Sequence, residues 1–222
     1  IDQSNRTVIG SATDYPQDWV IAPHTHEKHQ LLYAISGVMV VYSESSQWTV
    51  PSNRGVWMPS GRVHSIRCVG PLKMRRVVVR PDARVDRPAE VKAGSISPLL
   101  SELIKVAVGL QQPYAAHSRE DRVMQLILDE LALLPALPLH LPQPADPRIN
   151  GICRSLQKNP ADGSTLADWS THLGLDEKTI QRLFRKDTGM TFGQWRQQAR
   201  LLLAVERMAV GEKIIDVAFA LG

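Results

Sequence analysis

The sequence predicts an α+β protein: an N-terminal β-barrel of jelly-roll type, then a helical segment, then an all-α helix-turn-helix domain. Three observations carry this reading. Short β-rich runs and turn residues fill residues 1–83, five prolines crowd between Leu134 and Arg148, and beyond them apolar residues recur at helical spacing around Gly174 and Gly189.

Strands are expected at Thr7 to Ile9, Trp19 to Ala22, Gln30 to Ile35, Val38 to Tyr42, Trp48 to Val50, Gly55 to Met58, His64 to Val69 and Leu72 to Val79. Tyr33, Trp48, Trp57 and Met58 read as core within them. The basic run Lys73, Arg75, Arg76 and Arg80 reads as a solvated strand face. Residues 84–134 form the helical segment. There Leu99, Leu100, Leu103, Ile104 and Ala107 line one stripe, and Val123, Leu126, Ile127, Glu130, Leu131 and Leu134 lie near another. Such a pair of helices either covers the preceding sheet or forms a dimer interface.

Residues 135–147 then read as a linker, because Pro135, Pro138, Pro142, Pro144 and Pro147 block helix and favour an extended chain. Asp146 followed by Pro147 starts the next helix as N-cap and N1. Residues 148–222 form the last domain. Thr165 with Asp168 makes a capping box, Gly174 stops that helix, Asp176 caps the next, and Ile180, Leu183 and Phe184 give it a buried stripe ending near Gly189. The opposite face carries Lys178, Gln181, Arg182 and Arg185. A helix of this kind fits the major groove of B-DNA, where Arg reads guanine edges, Gln reads adenine edges, and Lys and Arg neutralise phosphates. The same outline also suits an ordinary amphipathic helix with a charged solvated face.

Composition agrees with two modest cores: 222 residues, 43% hydrophobic and 22% charged. A net charge of +4 permits a polyanionic partner. The cysteines, Cys68 and Cys153, form no CxxC pair, which suits a reducing cytoplasm. Charges or prolines interrupt every apolar run, so no membrane span is expected. Phosphate-binding glycine loops, GxSxG elbows and paired catalytic carboxylates are absent from the sequence, so no catalytic residue is assigned.

The run IQRLFRKDTGMTFGQWRQQARLLLA, Ile180 to Ala204, followed by IIDVAFALG from Ile214 to Gly222, resembles the AraC/XylS family of transcription regulators. It is similar to that family's first helix-turn-helix, its linker helix and the opening helix of its second helix-turn-helix. By this resemblance Lys178, Gln181 and Arg182 contact bases and Arg185 approaches the backbone. The resemblance also implies promoter DNA, a small-molecule effector and RNA polymerase as partners, and a homodimer. The chain reaches Gly222 where the family's second recognition helix would follow and begins at Ile1 rather than methionine, so the sequence reads as a fragment, a proteolysed product or a chain with disordered ends, its second helix-turn-helix incomplete.

Two further patterns resemble the motifs of the cupin superfamily. They are His24, His26, Gln30 and Gly37 in PHTHEKHQLLYAISG, and Gly55, Pro59, Gly61 and His64 in GVWMPSGRVH. Glutamine stands where the first motif usually has glutamate. The same barrel is the effector arm of AraC-like regulators. In a continuous strand His24, His26 and Gln30 share parity and point into one lumen, whereas His29 points away. With His64 they make a donor set for a divalent transition metal such as Zn, Ni, Fe or Mn. A metal-free polar effector pocket fits the same residues. The sequence therefore reads as a ligand-responsive DNA-binding regulator, with a metal-dependent cupin enzyme or a metal sensor as alternatives.

Overall fold

The computed structural model describes residues 7–43, 46–83, 89–111 and 113–222. They form two compact units: one runs to Ser43 and resumes over Val50–Leu139, the other comprises the short run ending at Thr49 with His140–Gly222. The boundary expected at residue 83/84 abuts residues 84–88, which lie outside the described residues.

The first unit is an antiparallel sheet backed by two helices. Its strands are β1 (Val8–Tyr15), β2 (Val20–His24), β3 (His29–Ser43), β5 (Arg54–Met58), β6 (His64–Val79) and β7 (Lys92–Ser95), and its helices are α1 (Pro98–Gly109) and α2 (Arg119–Ala132). β6 pairs with β3 along most of its length, with β1 at its C-terminal half and with β2 at its N-terminal end, while β5 joins β3 to β7.

Both β3 and β6 are longer than expected. Each was read from sequence as two strands divided at a glycine, and each instead turns a corner there without ending. Gly37 (φ +82°) and Gly70 (φ +70°) adopt the left-handed backbone, and the β3–β6 register shifts on either side of Ser36. A Cβ on Gly37 would stand 2.5 Å from the Pro71 carbonyl oxygen, so a side chain is excluded at this corner.

Strand alternation divides the sheet into two faces. Val8, Leu31, Tyr33, Trp57, Val77 and Val79 form one core with Leu100, Ile104 and Ala107 of α1 and Met124, Ile127, Leu128 and Leu131 of α2. The helices therefore cover the sheet, one of the two roles open to them. On α2 the buried stripe is rotated from the expected one: Met124 and Leu128 are buried while Leu126 is 39% exposed. Tyr33, Trp48, Trp57 and Met58 are buried as expected. The other face carries Gln30, Leu32, Val56, Met58, Met74, Arg76 and Val78, placed together by the β3–β5 and β3–β6 registers.

The second unit contains β4 (Ser46–Val50) up to Thr49, β8 (His140–Pro142), α3 (Pro147–Lys158), α4 (Leu166–Leu173), α5 (Glu177–Thr188), α6 (Phe192–Ala209) and α7 (Ile214–Leu221). The proline-rich stretch is ordered by pairing. Ala136 bridges Gly94 within the first unit, and β8 pairs with β4 within the second, where Trp195 Nε1 donates to the Pro142 carbonyl at 2.8 Å. β7 and β8 carry no sequence signal of their own, being short strands defined by their partners.

Helix starts follow the local chemistry. Asp146 caps α3 with Pro147 in its first turn, Thr165 and Asp168 close a capping box on α4, and Asp176 accepts from the Thr179 amide to cap α5. α4 and α5 end at left-handed Gly174 and Gly189. Phe184, fully buried, meets Phe192 edge-on at 5.6 Å and Trp195 at 6.4 Å, which fixes α5 on α6. Among the described residues no helix is long and apolar enough to cross a membrane.

Candidate functional site

Two features of the molecule gather chemistry, one in each unit. In the first unit β2 ends at His24, which lies in register with His64 at the start of β6. Their rings meet at 4.4 Å between centroids, and His26, just beyond β2, brings its ring within 4.8 Å of His24 and 5.7 Å of His64. One ligand atom of each imidazole lies within 4.8 Å of the others.

Backbone carbonyls orient two of these rings. His24 Nδ1 donates to the Ala22 carbonyl at 2.7 Å and His64 Nδ1 to the Arg62 carbonyl at 3.0 Å. A carbonyl only accepts, so each Nδ1 holds the proton and each Nε2 keeps a lone pair for a ligand. Burial pushes the His64 imidazole down to about 4, aided by the neighbouring His24 and His26 and by Arg76. At neutral pH His64 is uncharged, the state in which an imidazole binds a metal ion or accepts a hydrogen bond.

The β2–β6 pairing sets His64 beside His24, and His26 follows two residues after the end of β2. Bends at Glu27 and Lys28 then interrupt the chain before β3, so strand parity does not run on from His26 to Gln30. His29 does point elsewhere: its Nδ1 accepts from the Ser60 amide at 2.9 Å and its ring packs 5.3 Å from Trp57. Gln30 is 1% exposed and sits in register with Met58 and Val78; its Oε1 is buried with no hydrogen-bond partner. Such an orphaned acceptor is costly unless a ligand meets it.

Sequence reading missed Arg76 in this interior. Taken as part of a solvated strand face, it lies in register with Ser11 on one side and the buried Leu32 on the other. Arg75, one residue earlier, stands on the opposite face, half-buried and in register with Tyr33, and pairs with exposed Asp14 at 2.9 Å.

In the second unit α5 buries Ile180, Phe184 and Thr188. Lys178, Arg182 and Arg185 are exposed on the remaining surface, and none forms a salt bridge among the described residues. Their spacing of four and three residues puts them on one side of the helix. Gln181, beside them, is half-buried and its Oε1 accepts from the Phe192 amide at 3.4 Å, so its amide also ties α5 to α6. By contrast Arg196 and Arg200 spend their guanidinium groups on the carbonyls of Ser164 and of Pro160, Asp162 and Gly222.

The family model for an AraC-like ligand binding domain matches residues 8–134, and that for a helix-turn-helix domain matches residues 169–222. The chain is 32% identical over 222 residues to the HTH-type transcriptional regulator NimR of Escherichia coli K12, covering 100% of this chain and 81% of that one. It is 27% identical over 139 residues to the arabinose operon regulatory protein of Salmonella typhimurium LT2, covering 60% and 48%. Among solved structures, ToxT of Vibrio cholerae aligns over 96% of this chain and 88% of its own with 9% identity and a TM-score of 0.43. A cupin superfamily protein of Desulfitobacterium hafniense aligns over 35% and 71% with 18% identity and a TM-score of 0.33.

Proposed function

The chain belongs to the AraC family of transcription regulators, joining a ligand-binding domain to a DNA-binding helix-turn-helix, and from that premise we propose which residues serve each half. Helix α5 reads operator DNA: Lys178, Gln181 and Arg182 face base edges and Arg185 a phosphate. What supports this is the unpaired basic face of a helix anchored by Phe184 on its other side. Operator binding measured by fluorescence anisotropy tests it, since Arg182→Ala should relax discrimination at one base pair, whereas equal loss on every sequence refutes base reading.

The interior around His24, His26 and His64 is the effector site. These three residues, with Gln30 Oε1 as a fourth and weaker donor, would hold a divalent transition metal. The donor set fits: the carbonyl-bound Nδ1 atoms leave Nε2 for coordination, and His64 is already neutral. When bound, such an ion would supply open positions for water or effector. For the occupied site to control transcription, the effector must bind the DNA-competent and incompetent states with different affinity. Homodimerisation through α1 and α2, contact with RNA polymerase and a cytoplasmic location belong to the same reading.

A second reading makes the ion itself the signal, favoured by three imidazoles converging without a catalytic carboxylate among them. Elemental mass spectrometry on protein purified without a metal column separates the cases. Near-stoichiometric metal that is lost in a His24→Ala, His64→Ala double variant supports the metal site. Folded, metal-free wild type refutes it and leaves an organic effector alone. Turnover of a small molecule without operator binding would instead favour a cupin enzyme.

A further inference from the structure

The face of the sheet turned away from α1 and α2 holds three buried polar atoms with no hydrogen-bond partner: Ser11 Oγ, Gln30 Oε1 and Arg76 Nε. The strand registers place them together. Ser11 opposes Arg76 across β1–β6, and Gln30 opposes Val78, so Gln30 and Arg76 are diagonal neighbours on β3 and β6. Among the described residues Arg76 reaches a side-chain partner only through a long contact, 3.5 Å, to Thr13 Oγ1. No carboxylate among the described residues pairs with it. The strand positions that share its face, Ile9, Leu32, Val56, Met58, Met74 and Val78, are apolar and buried.

Arg76 is half-buried, and a guanidinium beside these apolar side chains with its Nε–H buried and unpaired is costly to keep; its planar fork matches the two oxygens of a carboxylate. Taking the barrel as the effector domain, as above, we propose that its effector is a small apolar monocarboxylate whose carboxylate is held by Arg76, with Ser11 donating from β1 and the carboxylate's apolar body lying against Leu32, Met58 and Met74. His64 and Arg76 stand at positions of equal parity on the unbroken β6, which puts both on one side of the sheet.

Benzoate, phenylacetate and hexanoate, each paired with its primary amide, test this by calorimetry on the full chain. The acids should bind wild type and the amides should not, and Arg76→Met should weaken the acids by about 10- to 100-fold while Arg76→Lys retains part of the affinity. Ring resonances of His64 should shift on adding acid. In the absence of any ligand, Arg76→Met should raise the melting temperature, because an apolar side chain of similar reach removes an unpaired charge; a lowered one would make Arg76 a structural tie and overturn the proposal. Amides binding as well as acids, with affinity unchanged in Arg76→Met and His64 still shifted, would overturn the carboxylate while leaving the effector site standing. Acid binding that never perturbs His64 would defeat both. Failure of all three acids to bind wild type overturns the proposal whatever the variants do.

Discussion

The candidate sites of the two units leave polar groups unpaired in opposite places. Inside the sheet domain the unpaired atoms are buried: Ser11 Oγ, Gln30 Oε1 and Arg76 Nε. In the helical domain side chains cap α3, α4, α5 and α6, Arg196 and Arg200 are bonded to carbonyls, and the unpaired charges of α5 sit outside on Lys178, Arg182 and Arg185. Trp169 Nε1 is the exception, a buried donor with no partner in this domain. A buried orphan can be satisfied only by something small enough to enter, whereas an exposed row of cations suits a surface as extended as a duplex. On the proposed reading the contrast sets a site for a small ligand against a helix face for DNA.

The largest effect expected on this contrast comes from the wedge under the docking face. Phe184→Ala should cost roughly 3–5 kcal/mol of helical-domain stability by opening a cavity beside Phe192 and Trp195. Urea titration followed by tryptophan fluorescence measures it, and a change below about 1 kcal/mol would mean that α5 is not held as described. Next comes Arg182→Ala, which should cost roughly 1–3 kcal/mol of operator affinity, concentrated at one base pair. Arg185→Ala sharpens the same point: it should weaken all sequences alike and reduce the slope of log affinity against log salt by about 1. A steep, sequence-selective loss in Arg185→Ala would exchange the two roles.

A smaller loss, about 1 kcal/mol, is expected for Thr165→Ala, which removes the hydroxyl accepting from the Asp168 amide. The smallest is a pH effect. The Arg148 guanidinium and backbone amide hold the Asp146 carboxyl down to about 2 from 3.8. A carboxylate depressed on folding contributes stability above its unfolded value and loses it as pH falls through the folded one. The α3 cap should thus be complete above pH 3.8 and weaken toward about 2, which a carboxyl-carbon NMR titration of Asp146 would follow. Asp146 is half-buried but its partner Arg148 is exposed, so solvent screening keeps the contribution small.

How much could be read in advance depended on the range of the interaction. The caps at Asp146, Thr165 and Asp176 and the stops at Gly174 and Gly189 are decided within a few residues, and they stand where the sequence put them. The three histidines were named from motif spacing, and His64 does enter from the neighbouring strand, in register with His24; parity cannot be carried on from His26 to Gln30, because bends at Glu27 and Lys28 intervene. α2 had too many apolar residues for periodicity to fix its phase, so Leu126 was read as inward and Met124 overlooked. Arg76 was illegible: adjacent to Arg75, it is told apart only by which face of β6 meets β1 and β3.

That dependence on facing gives the shared corner at Gly37 and Gly70 a further meaning. β6 runs unbroken from His64 to Val79, so the side of the sheet on which Arg76 stands is counted out, residue by residue, from the side on which His64 stands. A single inserted or deleted residue at the bend would invert everything beyond it, turning Arg76 to the outside and bringing Arg75 in. Only a bulge can take up such an odd residue, as β3 does on either side of Ser36, where the positions opposite the even residues of β6 pass from even to odd.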